Sequence, residues 1–387
     1  KGAQCATLRL ASASTQIVSI NDNICRRAER SVQLLFNPKM TFTPFYWIPP
    51  LAGLAASVLT AGLLIWVSAH WHWGMDKGTG VQKFHAKTTS RLGGLSIFTG
   101  MLLGFGVSYQ YFQKDGWLGA WVMLACAPVF IGGLVEDLTH KVSANVRLLM
   151  ALASSAVVYM VFQLGVKRTD IYIIDVFLSL PFAAFLLTAL VIAGFVNAIN
   201  IIDGFNGLAS MVGIISTTAI AFVAFKVGDF SIIYAALILI GSLLGFFIWN
   251  YPRGLIFLGD GGAYLIGFLI ACLSILLVQR NPTVSPWFAL LVNAYPIFET
   301  LFTIWRRKVH QGKNPGLPDG AHFHSLIYRR LIRWAEVHET KDTASYAKNA
   351  KTSPYLWLLS SLAVFPAIIW WQTTWVLQCF ALLFCIS

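Results

Sequence analysis

Charge is scarce in this chain. Only 11% of its 387 residues are Asp, Glu, Lys or Arg, and just 16 are acids. Soluble proteins carry about 25% charged residues, so a soluble globular domain is excluded. Cysteine is also sparse. Cys5, Cys25, Cys126, Cys272, Cys379 and Cys385 show no CxxC or metal-type spacing, which argues against a zinc module or a disulfide framework; they read as small packing residues. Strict apolar–polar alternation is missing too. In lipid the backbone must close its own hydrogen bonds as helices or a barrel, and without alternation the barrel drops out. Long apolar runs are what the chain has instead, making up most of its 57% hydrophobic content.

Eleven such runs stand out: 47–69, 95–112, 118–135, 146–165, 176–196, 208–225, 230–249, 263–278, 286–305, 355–371 and 374–386. The last is short for a span. The fold class is therefore an all-α polytopic membrane protein with about 10–11 transmembrane helices. Residues 1–39 contain no span and precede the first methionine, Met40; they are expected to be a non-native or disordered extension of an integral-membrane domain covering 40–387.

Loops after odd-numbered runs, near 70–94, 136–146, 197–207, 250–262 and 306–353, hold seventeen Lys and Arg, counting Arg147 at the edge of the second. Those after even-numbered runs hold five, namely Lys114, Lys167, Arg168, Lys226 and Arg280. Positive loops stay in the cytoplasm, so the odd loops are expected to be cytoplasmic. The net charge of +12 then reflects membrane topology and anionic lipid, and no nucleic-acid partner is expected. Polar chemistry follows the same partition, collecting at one membrane face and leaving the midplane, where a transporter would place it, nearly bare.

One stretch stands apart, N-A-I-N-I-I-D-G-F-N-G-L at 197–208. Asn197, Asn200, Asp203 and Asn206 recur every third residue, close to one helical face. Gly204 and Gly207 are expected to end the helix there. A polar turn between spans and a functional site are equally compatible with this stretch alone. Loop one supplies Lys83, His85, Lys87 and Arg91, then Gly93 and Gly94, which permit close backbone approach. Loop two carries adjacent Glu136 and Asp137, with Lys141 and Arg147 after them. Such a pair at a membrane face can hold a divalent metal or act as a base, or simply solvate a helix end. Asp260, flanked by Gly259 and Gly261, opens a run, where a carboxylate suits Mg2+ and free N–H groups suit phosphate; a plain N-cap is the alternative. Loop five contains His322 and His324, a weak zinc signal that fits phosphate or nucleobase hydrogen bonding better. Arg329, Arg330 and Arg333 follow in a basic stretch suited to anionic lipid.

In order and in side, these motifs resemble those of the polyprenyl-phosphate N-acetylhexosamine-1-phosphate transferases. This family of bacterial membrane enzymes starts O-antigen, enterobacterial common antigen and teichoic acid synthesis, and is related to phospho-N-acetylmuramoyl-pentapeptide transferase. The resemblance covers about 47–355 and leans to the O-antigen branch through R-L-G-G and L-I-Y-R-R. It implies transfer of a sugar-1-phosphate from a UDP-N-acetylhexosamine to undecaprenyl phosphate, releasing UMP. It also implies Mg2+, with Mn2+ as a substitute, and residence in the inner membrane, and it admits a homodimer. It places Asp137, Glu136 and Asp203 in catalysis and Asp260 and Asn200 on the metal. Substrate falls to Asn197, Lys83, His85, Arg91, Arg147, His322 and His324. The chain departs from the family pattern in four places: Glu136 replaces the first acid of the pair, Asn206 stands where a further Asp is usual, Ser325 replaces a third His, and loop one reads T-T-S-R without the family's common prolines. Asp137 therefore carries more weight than Glu136, as base or as positioner of the lipid phosphate.

Two other classes compete, a transporter or flippase and a non-catalytic polyprenyl-phosphate binder. A CDP-alcohol phosphotransferase is excluded, because F-N-G-L-A-S follows Asp203-Gly204 without the Arg and later acids that class needs.

Overall fold

The computed structural model describes residues 44–71, 74–76, 89–111, 116–312, 322–338 and 345–386. Residues 1–39 and the loop-one cations Lys83, His85 and Lys87 lie outside the described residues. Nearly every apolar run forms the helix its length predicts. In chain order these are α1 (Ile48–Trp71), α2 (Gly93–Tyr111), α3 (Gly116–Thr139), α4 (Ala144–Phe162), α5 (Tyr172–Leu178), α6 (Pro181–Ile202), α7 (Leu208–Val227), α8 (Phe230–Asn250), α9 (Gly259–Arg280), α10 (Pro286–Val292), α11 (Ala294–Trp305), α12 (Phe323–His338), α13 (Ser345–Ile369) and α14 (Thr374–Ile386). Among the described residues eight helices are long and apolar enough to span a membrane, and the pair α10–α11 makes a ninth; α2 and α14 are shorter apolar helices.

α9 is the axis of the bundle. Its apolar residues run all the way round, the signature of a helix with no solvent or lipid face. Tyr264, Leu265, Ile266, Phe268, Ile270 and Leu277 are all buried. α2, α3, α6 and α7 pack against it. The helices approach closely at its N-terminal end because glycines face one another there. A side chain on Gly94 would strike the backbone of Gly262, and one on Gly133 the backbone of Gly261. The close approach expected at Gly93 and Gly94 is thus realised: their N–H groups donate to the carbonyls of Phe257 and Leu258, each at 2.9 Å.

Two runs behave differently from the sequence expectation. The run 176–196 is not continuous. Pro181 sits in the first turn of α6, after Leu180 in extended conformation, and a residue before proline is driven out of the helical region. α5 is therefore separate, and α6 continues further, to Ile202. The run 286–305 is not a straight span either. It bends by 76° at Asn293. Pro296 has no N–H for the Val292 carbonyl four residues back, and the Ser216 hydroxyl donates to that carbonyl at 3.1 Å instead.

A short hairpin completes the frame. β1 (Met75–Asp76) pairs antiparallel with β2 (Thr89–Ser90), with Met75 opposite Ser90. Ser90 bridges to Ile256, and its carbonyl accepts from Phe257 N at 2.8 Å. Loop one is thereby stitched to the segment leading into α9, which fixes Arg91 beside Asp260.

Candidate active site

The site is built where helix ends meet. As Gly204 and Gly207 suggested, α6 stops at Ile202 and α7 starts at Leu208. Gly207 has φ +73°, a backbone that favours glycine. The turn between is held from outside. Asn206 N donates to Asn349 Oδ1 at 2.9 Å, and Asn206 Nδ2 donates to the Pro252 carbonyl at 3.0 Å. The Ser353 hydroxyl donates to the Asn206 carbonyl, and Gly207 N donates to Asn250 Oδ1. The residue that departs from the family's acid is thus a buried clasp between this turn, α13 and the end of α8.

Three carboxylates meet here in different states. Asp137, in the last turn of α3, is 2% exposed. Its Oδ1 accepts from Asp260 N at 2.8 Å and its Oδ2 from Gly261 N at 2.9 Å. It thus caps the N-terminus of α9 from another helix, satisfying N–H groups that have no intrahelical partner. Gly259 makes this possible: it has φ +74°, and a side chain there would collide with the Arg91 carbonyl and with Asp137.

Asp260 is surrounded by cations. Its Oδ1 accepts from Arg91 Nη2 at 3.0 Å and from Asn200 Nδ2 at 3.1 Å, and its Oδ2 from Arg147 Nη1 at 3.3 Å. The Tyr264 hydroxyl, one turn along α9, donates to Oδ2 at 3.4 Å and accepts from Arg147 at 3.2 Å. Tyr264 escaped the sequence reading; its i+4 spacing from Asp260 was the available signal.

Asp203 caps the C-terminus of α6 through its backbone. Its half-buried carboxylate makes no hydrogen bond with any described residue. Burial, above all, raises this carboxyl to about 8; Arg91 opposes the shift, and the charges of Asp260 and Asp137 add to it. All three carboxylates and Arg91 therefore share one electrostatic environment.

Other expected site residues lie further out. Glu136 turns its carboxylate to Val142 N at 2.7 Å, closing the turn after α3. Asn197 is on an exposed face, with its amide nitrogen on the Ala193 carbonyl at 2.8 Å. Neither joins the cluster around Asp260.

His322 and His324 open α12, their rings stacked with centroids 5.2 Å apart. His324 packs against Phe205, and its Nε2 sits directly over Gly204, beside Asp203. Burial lowers its imidazole to about 4, with Glu299 opposing and His322 adding to the shift, so at pH 7 it is a neutral hydrogen-bonding group. Ser325 is buried next to them. Glu299, also missed from sequence, lies inside the apolar run 286–305 and reaches both His322 and the start of α12.

The donor set is all oxygen: Asp260, Asn200 and Asp203. That suits Mg2+, which is usually held by one or two carboxylates, with phosphate oxygens and water filling its octahedron. Among the described residues no three His, Cys, Asp or Glu side chains are close enough to enclose a metal by themselves. An ion here would share its shell with substrate.

Residues 120–278 match the model of glycosyl transferase family 4. Over 303 residues the chain is 31% identical to a Bacillus subtilis protein named a probable undecaprenyl-phosphate N-acetylglucosaminyl 1-phosphate transferase, covering 75% of this chain and 77% of that one. It is 27% identical over 257 residues to the undecaprenyl-phosphate alpha-N-acetylglucosaminyl 1-phosphate transferase of Thermotoga maritima, covering 65% and 72%. A phospho-N-acetylmuramoyl-pentapeptide-transferase of Streptococcus pneumoniae is 33% identical over a shorter 154 residues, 40% of this chain and 45% of that one.

Proposed function

The chain belongs to glycosyl transferase family 4, and from that premise we infer that it transfers a sugar-1-phosphate to undecaprenyl phosphate. The observation that carries this reading is the meeting of Asp137, Asp203, Asp260, Asn200, Arg91 and Arg147 at one end of an apolar helix bundle. A lipid phosphate and a soluble nucleotide can both reach such a place. A transporter reading finds no comparable support, since these carboxylates sit at helix ends.

The donor is a UDP-N-acetylhexosamine, in keeping with the relatives' names. An oxygen of the lipid phosphate attacks the phosphorus that bears the sugar. The bond from that phosphorus to the bridging oxygen breaks, and UMP leaves with the electron pair. A phosphate monoester has its second pKa near about 6, so the nucleophile is already largely ionised at pH 7 and needs placement more than a base.

Arg91 and Arg147 are the cations within reach of donor phosphates, and they offset the repulsion between two anionic substrates. Asp260, Asn200 and Asp203 would hold Mg2+, which, when bound, neutralises charge building on the leaving UMP. Asp137 positions the machinery by fixing the N-terminus of α9, and so the place of Asp260. His324, neutral and lying over Gly204, is a hydrogen-bonding partner for substrate beside Asp203. The excess of Lys and Arg in the odd loops supports a site on the cytoplasmic side of the inner membrane.

The test uses purified protein in lipid nanodiscs with undecaprenyl phosphate, Mg2+ and a panel of UDP-amino sugars. UMP release matched by a lipid-linked sugar, abolished by EDTA and cut at least about 100-fold by Asp260→Asn, is the expected result. UMP release without the lipid product would mean hydrolysis and would overturn the transferase reading.

A further inference from the structure

Glu299 is 2% exposed in the middle of an apolar helix. A buried carboxylate costs several kcal/mol unless it is paired, so its partners say what it is for. There are two. Its Oε1 accepts from Phe323 N at 2.8 Å, at the first turn of α12. The same oxygen lies 3.4 Å from His322 Nδ1. Thr303, one turn along α11 from Glu299, places its hydroxyl 3.2 Å from that nitrogen. Two oxygens on one face of α11 thus converge on a single ring nitrogen. A carboxylate there only accepts, so Nδ1 carries the hydrogen, and the remaining nitrogen, Nε2, makes no hydrogen bond with any described residue. A ring nitrogen fixed by a carboxylate in this way sets both tautomer and orientation.

We propose that Glu299, assisted by Thr303, is a positioning residue. It holds the His322 ring with Nδ1 as donor, which leaves Nε2 as the nitrogen presented to a hydroxyl or N–H donor of the nucleotide-sugar substrate. The proposal rests on the transferase reading, in which His322 falls among the substrate-binding residues. Glu299 also ties α11 to the start of α12, so one side chain sets the place of the ring and of the helix that carries the second histidine. Other described groups facing the pair are His324, stacked on His322, Thr303, and the buried Tyr295 one turn before Glu299.

The experiment is a double-mutant cycle on full-length protein in nanodiscs, reading kcat and donor KM for Glu299→Gln, Thr303→Val, His322→Ala and the two double variants. Glutamine keeps an oxygen for Phe323 N but loses the charge. Glu299→Gln is expected to raise donor KM about tenfold, and Thr303→Val about threefold, with little change in kcat. Neither should add a further loss in the His322→Ala background, because pairs acting through one contact are not additive. Glu299→Asp, which keeps the charge, is expected to recover most of the affinity. If the losses from Glu299→Gln persist undiminished without His322, the proposal is overturned. An unchanged KM in Glu299→Gln, with wild-type protein turning over, overturns it as well. If Glu299→Gln fails to fold, the Thr303→Val arm decides by the same additivity criterion. Wild-type protein with no transfer at all would instead sink the transferase reading.

Discussion

Asp203 carries the clearest chemistry of any single residue here, because no described side chain or backbone group hydrogen-bonds its carboxylate. With a carboxyl near 8 in the folded protein and about 4 in an unfolded chain, the folded state binds the extra proton. Stability then falls as pH rises from about 4 to about 8, the window in which the unfolded state has released its proton and the folded state has not. Asp203→Asn removes that penalty. With Mg2+ chelated, its melting temperature should exceed wild type by a margin that grows across this window and then levels off. Thermal melts at several pH values check this; a constant or shrinking margin would contradict it. A cation bound at the site would act the other way, expelling the proton. The sequence singled out Asp203 through its motif, but its raised carboxyl could not be read there, since it depends on burial in the fold and on Arg91, Asp137 and Asp260, which come from three other segments.

At the scale of elements, the contact that matters most joins α3 to α9. Both Asp137 oxygens serve the first N–H groups of α9. Asp137→Asn would turn an amide N–H toward one of those N–H groups, leaving two buried donors face to face. A buried donor without an acceptor costs about 1–3 kcal/mol. The variant should therefore lose stability as well as turnover, and a melt run alongside the activity assay separates a structural cap from a purely catalytic acid. Much of this level was legible. Gly204 and Gly207 marked the end of α6, and Gly93 and Gly94 marked a close approach. The break at Asn293 was hidden because Pro296 sits in an otherwise unbroken apolar run, and only the Ser216 hydroxyl on the Val292 carbonyl shows how the bend is satisfied. Glu299 was hidden in the same run, as a lone acid whose partners lie on α12.

Across the whole molecule, every segment that builds the site follows an odd-numbered apolar run, and these segments come together at one end of the bundle. With native cysteines replaced, Thr139→Cys at the end of α3 and Lys226→Cys at the end of α7 sample opposite ends, and both positions are exposed. A membrane-impermeant maleimide added to intact cells should label the position-226 cysteine and leave the position-139 cysteine unlabelled until the membrane is opened. Labelling of position 139 in intact cells would reverse the assigned orientation.

The sequence by itself determined the class and the chemistry available: a helical membrane protein with acids, amides and cations in the odd-numbered loops. Hydropathy and Lys–Arg bias are local properties that survive without a fold, and motifs keep their order along a chain. Tertiary structure alone decided what each group does. It spent Asp137 on a helix end, ringed Asp260 with Arg91, Arg147 and Asn200, left the Asp203 carboxylate without a hydrogen bond to any described residue, turned Glu136 to Val142 and Asn197 to Ala193, and set Glu299 beside His322. Those roles depend on distances between residues up to 169 positions apart in the chain, and no local property of a sequence encodes such a distance.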